Sequence, residues 1–245
     1  MSGRIRLLLA PGLLCNERLW RPQVEGLGDI AEVVVANLTT QDSIGAMAES
    51  VLDLAAAQGA DGPFALAGLS MGGYVAMEAA LRAPGRVARL ALLDTRATLD
   101  EPDRAAGRRQ LLDLAGQGRF MGVTRRLLPT LIHPGRLDDA VLTETVMAMA
   151  REVGQDAFLR QMTAIMARRH FVPELPRIRC PTLVLCGRED ARTPLAESEL
   201  IAAGIRGARL EIVEGCGHLS SLERPDEVNA ALRRWLLAGP SEITT

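Results

Sequence analysis

The sequence predicts an α/β protein: a doubly wound, mostly parallel sheet of about six strands with an inserted all-helical cap. Three observations carry this prediction. Short apolar runs alternate with segments of helical period. One of those runs ends in Gly68-Leu69-Ser70-Met71-Gly72 and passes straight into a helical pattern. A block between residues 99 and 172 offers helices and no strand.

Taken in order, the apolar runs are Ile5 to Ala10, Val33 to Ala36, Phe64 to Leu69, Val87 to Leu93, Thr182 to Cys186 and Arg209 to Val213. Most are followed by Gly, Asp or Asn, as buried parallel strands are when they end in loops. Helical patterns lie between them at Ile44 to Ala57, Tyr74 to Arg82, Pro194 to Ala203 and Pro225 to Leu237. In the strandless block, helices are expected at Asp103 to Ala115, Val123 to Leu131, Asp138 to Val153 and Gln155 to Arg168. The expected division is a core of residues 1–98 and 173–245 and a cap, or lid, of residues 99–172. An insertion over the carboxyl ends of the strands would shape a pocket and exclude water.

The bulk properties narrow the class. A chain of 245 residues, 48% of them apolar, can bury one substantial core. A formal net charge of −2 gives no electrostatic footprint for nucleic acid or an anionic membrane, so neither is expected as a partner. No apolar run reaches membrane-spanning length, and Arg4 to Ala10 is too short for a secretory signal core, so a cytoplasmic location is expected. Cys15, Cys180, Cys186 and Cys216 have no Cys-x-x-Cys spacing, which points to reduced thiols and away from a metal site.

Gly-x-Ser-x-Gly between a strand and a helix has the form of a nucleophile elbow. A serine hydroxyl becomes a useful nucleophile only where a strained turn exposes it to a base, and glycines at 68 and 72 let strand and helix approach closely. The base must come from His133, His170 or His218. His218 stands in a glycine-flanked loop after the last strand, whereas the other two lie in the insertion, so His218 is favoured. The base needs a buried carboxylate to orient it. Asp190 follows the fifth strand and gives the chain order Ser, Asp, His. Asp94, at the end of the fourth strand, is the rival, and Glu189 is expected to point elsewhere along the turn. An oxyanion needs preorganised N–H donors, expected from Met71, the residue after the nucleophile, and Leu13, in the loop after the first strand.

Gly12-Leu13 with the following Trp20, Gly68-Leu69-Ser70-Met71-Gly72-Gly73, Gly187-Arg188-Glu189-Asp190 with Thr193-Pro194, and Gly217-His218 with Glu223-Arg224-Pro225 together resemble the α/β-hydrolase superfamily. Within it they are similar to the small serine hydrolases that include carboxylesterases, enol-lactonases and carbon–carbon hydrolases. The resemblance spans nearly the whole chain. It implies a Ser70 nucleophile, a His218 base, an Asp190 orienter, oxyanion amides at Leu13 and Met71, and no metal or organic cofactor. Two departures stand out: Pro11 occupies the place where many relatives have His, and the usual N-terminal hairpin is missing, so the sheet should be minimal. Serine at the elbow argues against the dehalogenase and epoxide hydrolase branches.

The expected activity is hydrolysis of a small ester, lactone or thioester, with a small-molecule acyl substrate as partner. A carbon–carbon hydrolase or lyase on the same triad and a non-catalytic ligand-binding receptor stand as alternatives. Met121, Met147, Met149, Met162, Met166, Phe120 and Phe158 supply the insertion with core and an adaptable apolar pocket. Arg125, Arg126, Arg168 and Arg169 are read as solvated.

Overall fold

The computed structural model describes residues 4–58 and 62–239. Six strands, β1 (Ile5–Ala10), β2 (Ala31–Val35), β3 (Phe64–Leu69), β4 (Val87–Leu93), β5 (Thr182–Gly187) and β6 (Arg209–Val213), form one sheet in the order β2-β1-β3-β4-β5-β6. Every pairing is parallel. β3 and β5 are buried along their whole length, which is why they read as unbroken apolar runs. The strand order reverses beside β1. The chain leaves β1 towards β2 on one side and returns to β3 on the other, opening a crevice between the carboxyl ends of β1 and β3.

Alternation along the strands separates two core layers. Leu8, Leu66, Leu90, Leu92 and Val184 face α2 (Ile44–Ala57), α3 (Met71–Arg82) and the apolar side of α6 (Leu195–Gly204). Leu7, Leu9, Leu69, Leu93 and Leu185 face α1 (Arg21–Leu27) and α8 (Pro225–Leu237). α1 was not expected from the sequence. It has about two turns, with Pro22 as its second residue, too short a window for helical periodicity to stand out.

Between β4 and β5 lie α4 (Pro102–Gly116), α5 (Ala140–Met166) and short 3-10 turns, with no strand among the described residues. α5 breaks at Gly154 (φ 77°, ψ 178°), so the two helices expected on either side of that residue are present as two arms. The helix expected over Val123 to Leu131 is absent. That segment forms turns and a 3-10 turn at Leu128–Thr130, because Gly122 is left-handed (φ 62°) and Pro129 lacks the N–H a helix would use. Met149, Met162 and Phe158 are buried, and Phe120 packs on Phe158 with ring centroids 5.1 Å apart, whereas Met121 is 78% exposed.

Arg168 is not solvated. It is buried against Asp100 at 3.1 Å with its guanidinium 4.7 Å from the Tyr74 ring. Asp100 also takes Arg108 at 2.8 Å and Arg104 at 3.0 Å, tying α4 and the end of α5 to the loop after β4. Burial alone would raise the Asp100 carboxyl, but the Arg168 hydrogen bond and the charges of Arg108, Arg168 and Arg104 hold it at about 2.

The closest backbone packing is at the start of α3. A Cβ on Gly72 would overlap the carbonyl oxygens of Ala10 and Pro11, and one on Gly68 would overlap the Gly72 backbone. Neither obstacle is a flexible side chain. Gly72→Ala is therefore expected to lose about 3 kcal/mol or more, lowering Tm by roughly 6–12 °C. Gly107→Ala, exposed in α4 with open space around it, should match or exceed wild type. Thermal unfolding of both variants checks this, and a Gly72→Ala protein as stable as wild type would contradict it.

Candidate active site

Ser70 links β3 to α3 in a left-handed conformation (φ 56°, ψ −113°), which costs a non-glycine residue on the order of 1–3 kcal/mol. Its surroundings hold it there. The Ser70 N–H donates to the Leu93 carbonyl (3.0 Å), and the Ser70 carbonyl accepts from Gly73 N–H (3.0 Å) and the Thr95 hydroxyl (2.7 Å). Thr95 is fully buried, so the turn is braced from the end of β4.

His218 lies in the loop after β6. Its Nε2 is 2.9 Å from Ser70 Oγ and its Nδ1 is 2.8 Å from Asp190 Oδ2. Both Asp190 and His218 are buried. Asp190 Oδ1 accepts the N–H groups of Arg192 (2.7 Å) and Thr193 (2.9 Å), and Oδ2 also accepts the Thr193 hydroxyl (2.5 Å). Burial pushes the Asp190 carboxyl up, but the His218 charge and the hydrogen bonds from His218 and Thr193 outweigh it and bring it below its ordinary value. An ionised Asp190 makes Nδ1 the proton-bearing nitrogen and leaves Nε2 to accept the Ser70 hydroxyl proton.

The rival carboxylate is used otherwise. Asp94 is fully buried, accepts Gly187 N–H (3.0 Å), and meets the N–H (3.2 Å) and hydroxyl (2.5 Å) of Ser220, bridging β5 to the short helix α7 (Ser220–Glu223). Burial and the Asp190 charge push its carboxyl well above the usual range. Glu189 turns away to accept Cys216 N–H (2.9 Å), as its place in the turn suggests. His133 uses Nδ1 to cap Gly135 N–H (3.0 Å), and His170 is exposed. Cys216 is fully buried among apolar groups with its thiol pushed up by burial, the position of a small filler.

The loop after β1 lies against the elbow: a Cβ added to Gly12 would stand 3.4 Å from Ser70 Cβ. Among the described residues, no protein acceptor takes the Leu13 or Met71 N–H. A cavity of about 350 Å³ lies between Pro11, Asn16, Leu38, Glu152, Asp156 and Arg160, and none of Ser70, Asp190 or His218 lines it.

Glu223 is a contributor that sequence reasoning gave no role. Its buried carboxylate accepts the N–H groups of Gly217 (3.0 Å), Leu219 (3.2 Å) and His133 (2.7 Å), gripping the His218 loop on both sides. Its carboxyl is raised by burial, against the pull of these three N–H donors. The signal was there in an acidic residue shortly after His218, but its burial was not readable.

A serine, a histidine and an aspartate in hydrogen-bonded line at the carboxyl edge of a parallel sheet can carry out nucleophilic attack with proton relay through the imidazole. Comparison with known proteins gives the family. Residues 7–231 match the model of the alpha/beta hydrolase family, and the chain belongs to that family. It is 31% identical over 244 residues to a putative carbamate hydrolase RutD of Azorhizobium caulinodans, with 92% of this chain and 89% of the relative covered. It is similar in structure to a thermophilic esterase from Thermogutta terrifontis, with a TM-score of 0.88 and 28% identity over 100% of this chain and 92% of the other. An enol-lactonase from Burkholderia xenovorans shares the fold, at a TM-score of 0.85 and 24% identity over 97% and 93% of the two chains. Among the described residues no helix is long and apolar enough to cross a membrane.

Proposed function

We propose that this protein is a serine hydrolase that cleaves a small ester, lactone or thioester through an acyl-enzyme on Ser70. The observation that carries the reading is the position of His218, with Nε2 2.9 Å from Ser70 Oγ and Nδ1 2.8 Å from Asp190 Oδ2. Ser70 Oγ attacks the substrate carbonyl carbon as its proton passes to His218 Nε2. The Leu13 and Met71 N–H groups receive the oxyanion, each worth roughly 3–4 kcal/mol of barrier. The tetrahedral species collapses as Nε2 returns the proton to the leaving oxygen or sulfur. A water molecule then attacks the acyl carbon by the same relay and frees Ser70. Asp190 holds the imidazole in the working tautomer and stabilises its charge while the proton resides there.

The helical segment, proposed as a cap of residues 99–172, closes over these strand ends. The reading is supported by contacts it makes with the site loops: the Leu131 carbonyl accepts His218 N–H (3.1 Å), and Glu152 accepts from Asn16 (2.8 Å) and Arg18 (3.0 Å). Carbamates join the candidate substrates because several relatives are named putative carbamate hydrolases and a carbamate presents the same attacked carbonyl.

Steady-state rates on a panel of p-nitrophenyl acetate, a small lactone, a thioester and a carbamate test the reading. Ser70→Ala is expected to lower kcat by about a thousandfold or more on whichever substrate is turned over, with the fold intact by circular dichroism; ester hydrolysis retained in that variant would sink it. The two buried aspartates separate in the same assay. Asp190→Asn places an amide against Nδ1 and favours the wrong tautomer, so a loss of roughly 10³–10⁴ in kcat is expected. Asp94→Asn is expected to cost less than about tenfold, since Asp94 makes no hydrogen bond to His218. Equal losses would contradict the assignment of Asp190.

A further inference from the structure

We propose that Gln161, on the second arm of α5, is a positioning residue for the Leu13 oxyanion donor, so that the helical insertion sets the competence of the Ser70 site. The inference rests on the serine hydrolase reading above. Gln161 is fully buried, and both ends of its amide are used: Oε1 accepts Leu14 N–H (3.0 Å) and Nε2 donates to the Leu38 carbonyl (3.0 Å). Rotating the amide would break two hydrogen bonds in a site without solvent, at about 1–3 kcal/mol for each group left unpaired.

The bond falls on the one peptide where the loop has a choice. Cys15 N–H donates to the Gly12 carbonyl (3.1 Å), closing a tight turn with Leu13 and Leu14 at its corners. Leu14 has a φ of 59° and Leu13 is not among the positive-φ residues, which makes this a type II turn. That turn normally asks for glycine at its second corner, and leucine there costs about 1–2 kcal/mol. The cheaper type I turn is reached by flipping the Leu13–Leu14 peptide. The flip would present the Leu13 carbonyl to Gln161 Oε1, acceptor against acceptor. Gln161 therefore selects the strained form and fixes the backbone at Leu13, whose own N–H, on the adjoining Gly12–Leu13 peptide, has no protein acceptor among the described residues.

Among the described residues, the Leu13 carbonyl on the other side of the same peptide accepts only the Cys15 thiol (3.5 Å), a weak donor. Pro11 has neither an N–H nor a polar side chain. The other ties from α5 are Glu152 to Asn16 and Arg18, further along the loop and exposed, and Arg160 Nε to the Thr39 carbonyl (2.9 Å), which does not touch the loop. Gln161 and Glu152 stand on opposite sides of the break at Gly154, so the two arms hold the loop at two points.

The test uses the full-length protein, p-nitrophenyl acetate turnover, and inhibition by n-butylboronic acid, which mimics the tetrahedral adduct. Gln161→Met keeps the length of the side chain and removes both hydrogen bonds. It is expected to lower kcat roughly ten- to a hundredfold, part of the loss for deleting a donor outright, with KM within about threefold and boronate affinity falling in step with kcat. Arg160→Ala, which loosens the same helix without touching the loop, should leave all three unchanged. Gln161→Asn, shorter by one methylene but still polar, should show the same pattern as Gln161→Met and serves if that variant does not fold. Unchanged kcat in a folded Gln161 variant, a kcat loss without loss of boronate affinity, or an equal loss in Arg160→Ala would each overturn the proposal alone. A wild type without Ser70-dependent turnover would overturn the proposed function and this inference with it.

Discussion

The site depends on how close the backbone at the start of α3 comes to the ends of its neighbours. Gly72 sits against the carbonyl oxygens of Ala10 and Pro11, and Gly68 against Gly72 itself. With a side chain at either place the helix would stand off from β1 and the loop after it. That standoff would separate Ser70 from the Gly12–Leu13 segment and relax the left-handed turn that exposes the hydroxyl. The strain is met by ordinary means: two backbone hydrogen bonds, a buried threonine hydroxyl, and the packing of a fully buried strand on one side and a nearly fully buried helix on the other.

Around this turn the carboxyl edge of the sheet is wired by buried carboxylates, each serving backbone N–H groups in place of lysine or arginine partners. Asp94 joins β5 to α7, Glu223 clamps the His218 loop, and Asp190 gathers the turn before α6. Two of them, Asp94 and Asp190, are close enough to feel each other's charge, and low dielectric makes a double negative costly. The environment resolves the conflict in one direction. Asp190 has the imidazole and three donors from Arg192 and Thr193 and is shifted down, whereas Asp94 is shifted up.

Much of this was legible in the chain because it follows from local chemistry. The central β3 and β5 read as unbroken apolar runs since they are covered on both faces, and the elbow read as an elbow since its glycines flank the serine at the spacing the turn requires. The glycine-flanked loop after the last strand separated His218 from His133 and His170, and the chain order Ser, Asp, His pointed to Asp190. What escaped reading depends on distant partners or on short spans. α1 is too brief to show a period, the 123–131 segment fails as a helix on Gly122 and Pro129, and Arg168 is buried only because Asp100 and Tyr74 meet it from other elements. Gln161 is the clearest case. Nothing in its neighbourhood of sequence marks a glutamine as the partner of Leu14 and Leu38, well over a hundred positions away.

The activation of Ser70 is tested most directly by intact mass with peptide mapping after exposure to a fluorophosphonate, which phosphonylates an activated serine. A single adduct is expected on the peptide carrying Ser70, absent from a protein denatured before exposure. No adduct on the folded protein, or an adduct on another serine, would contradict it.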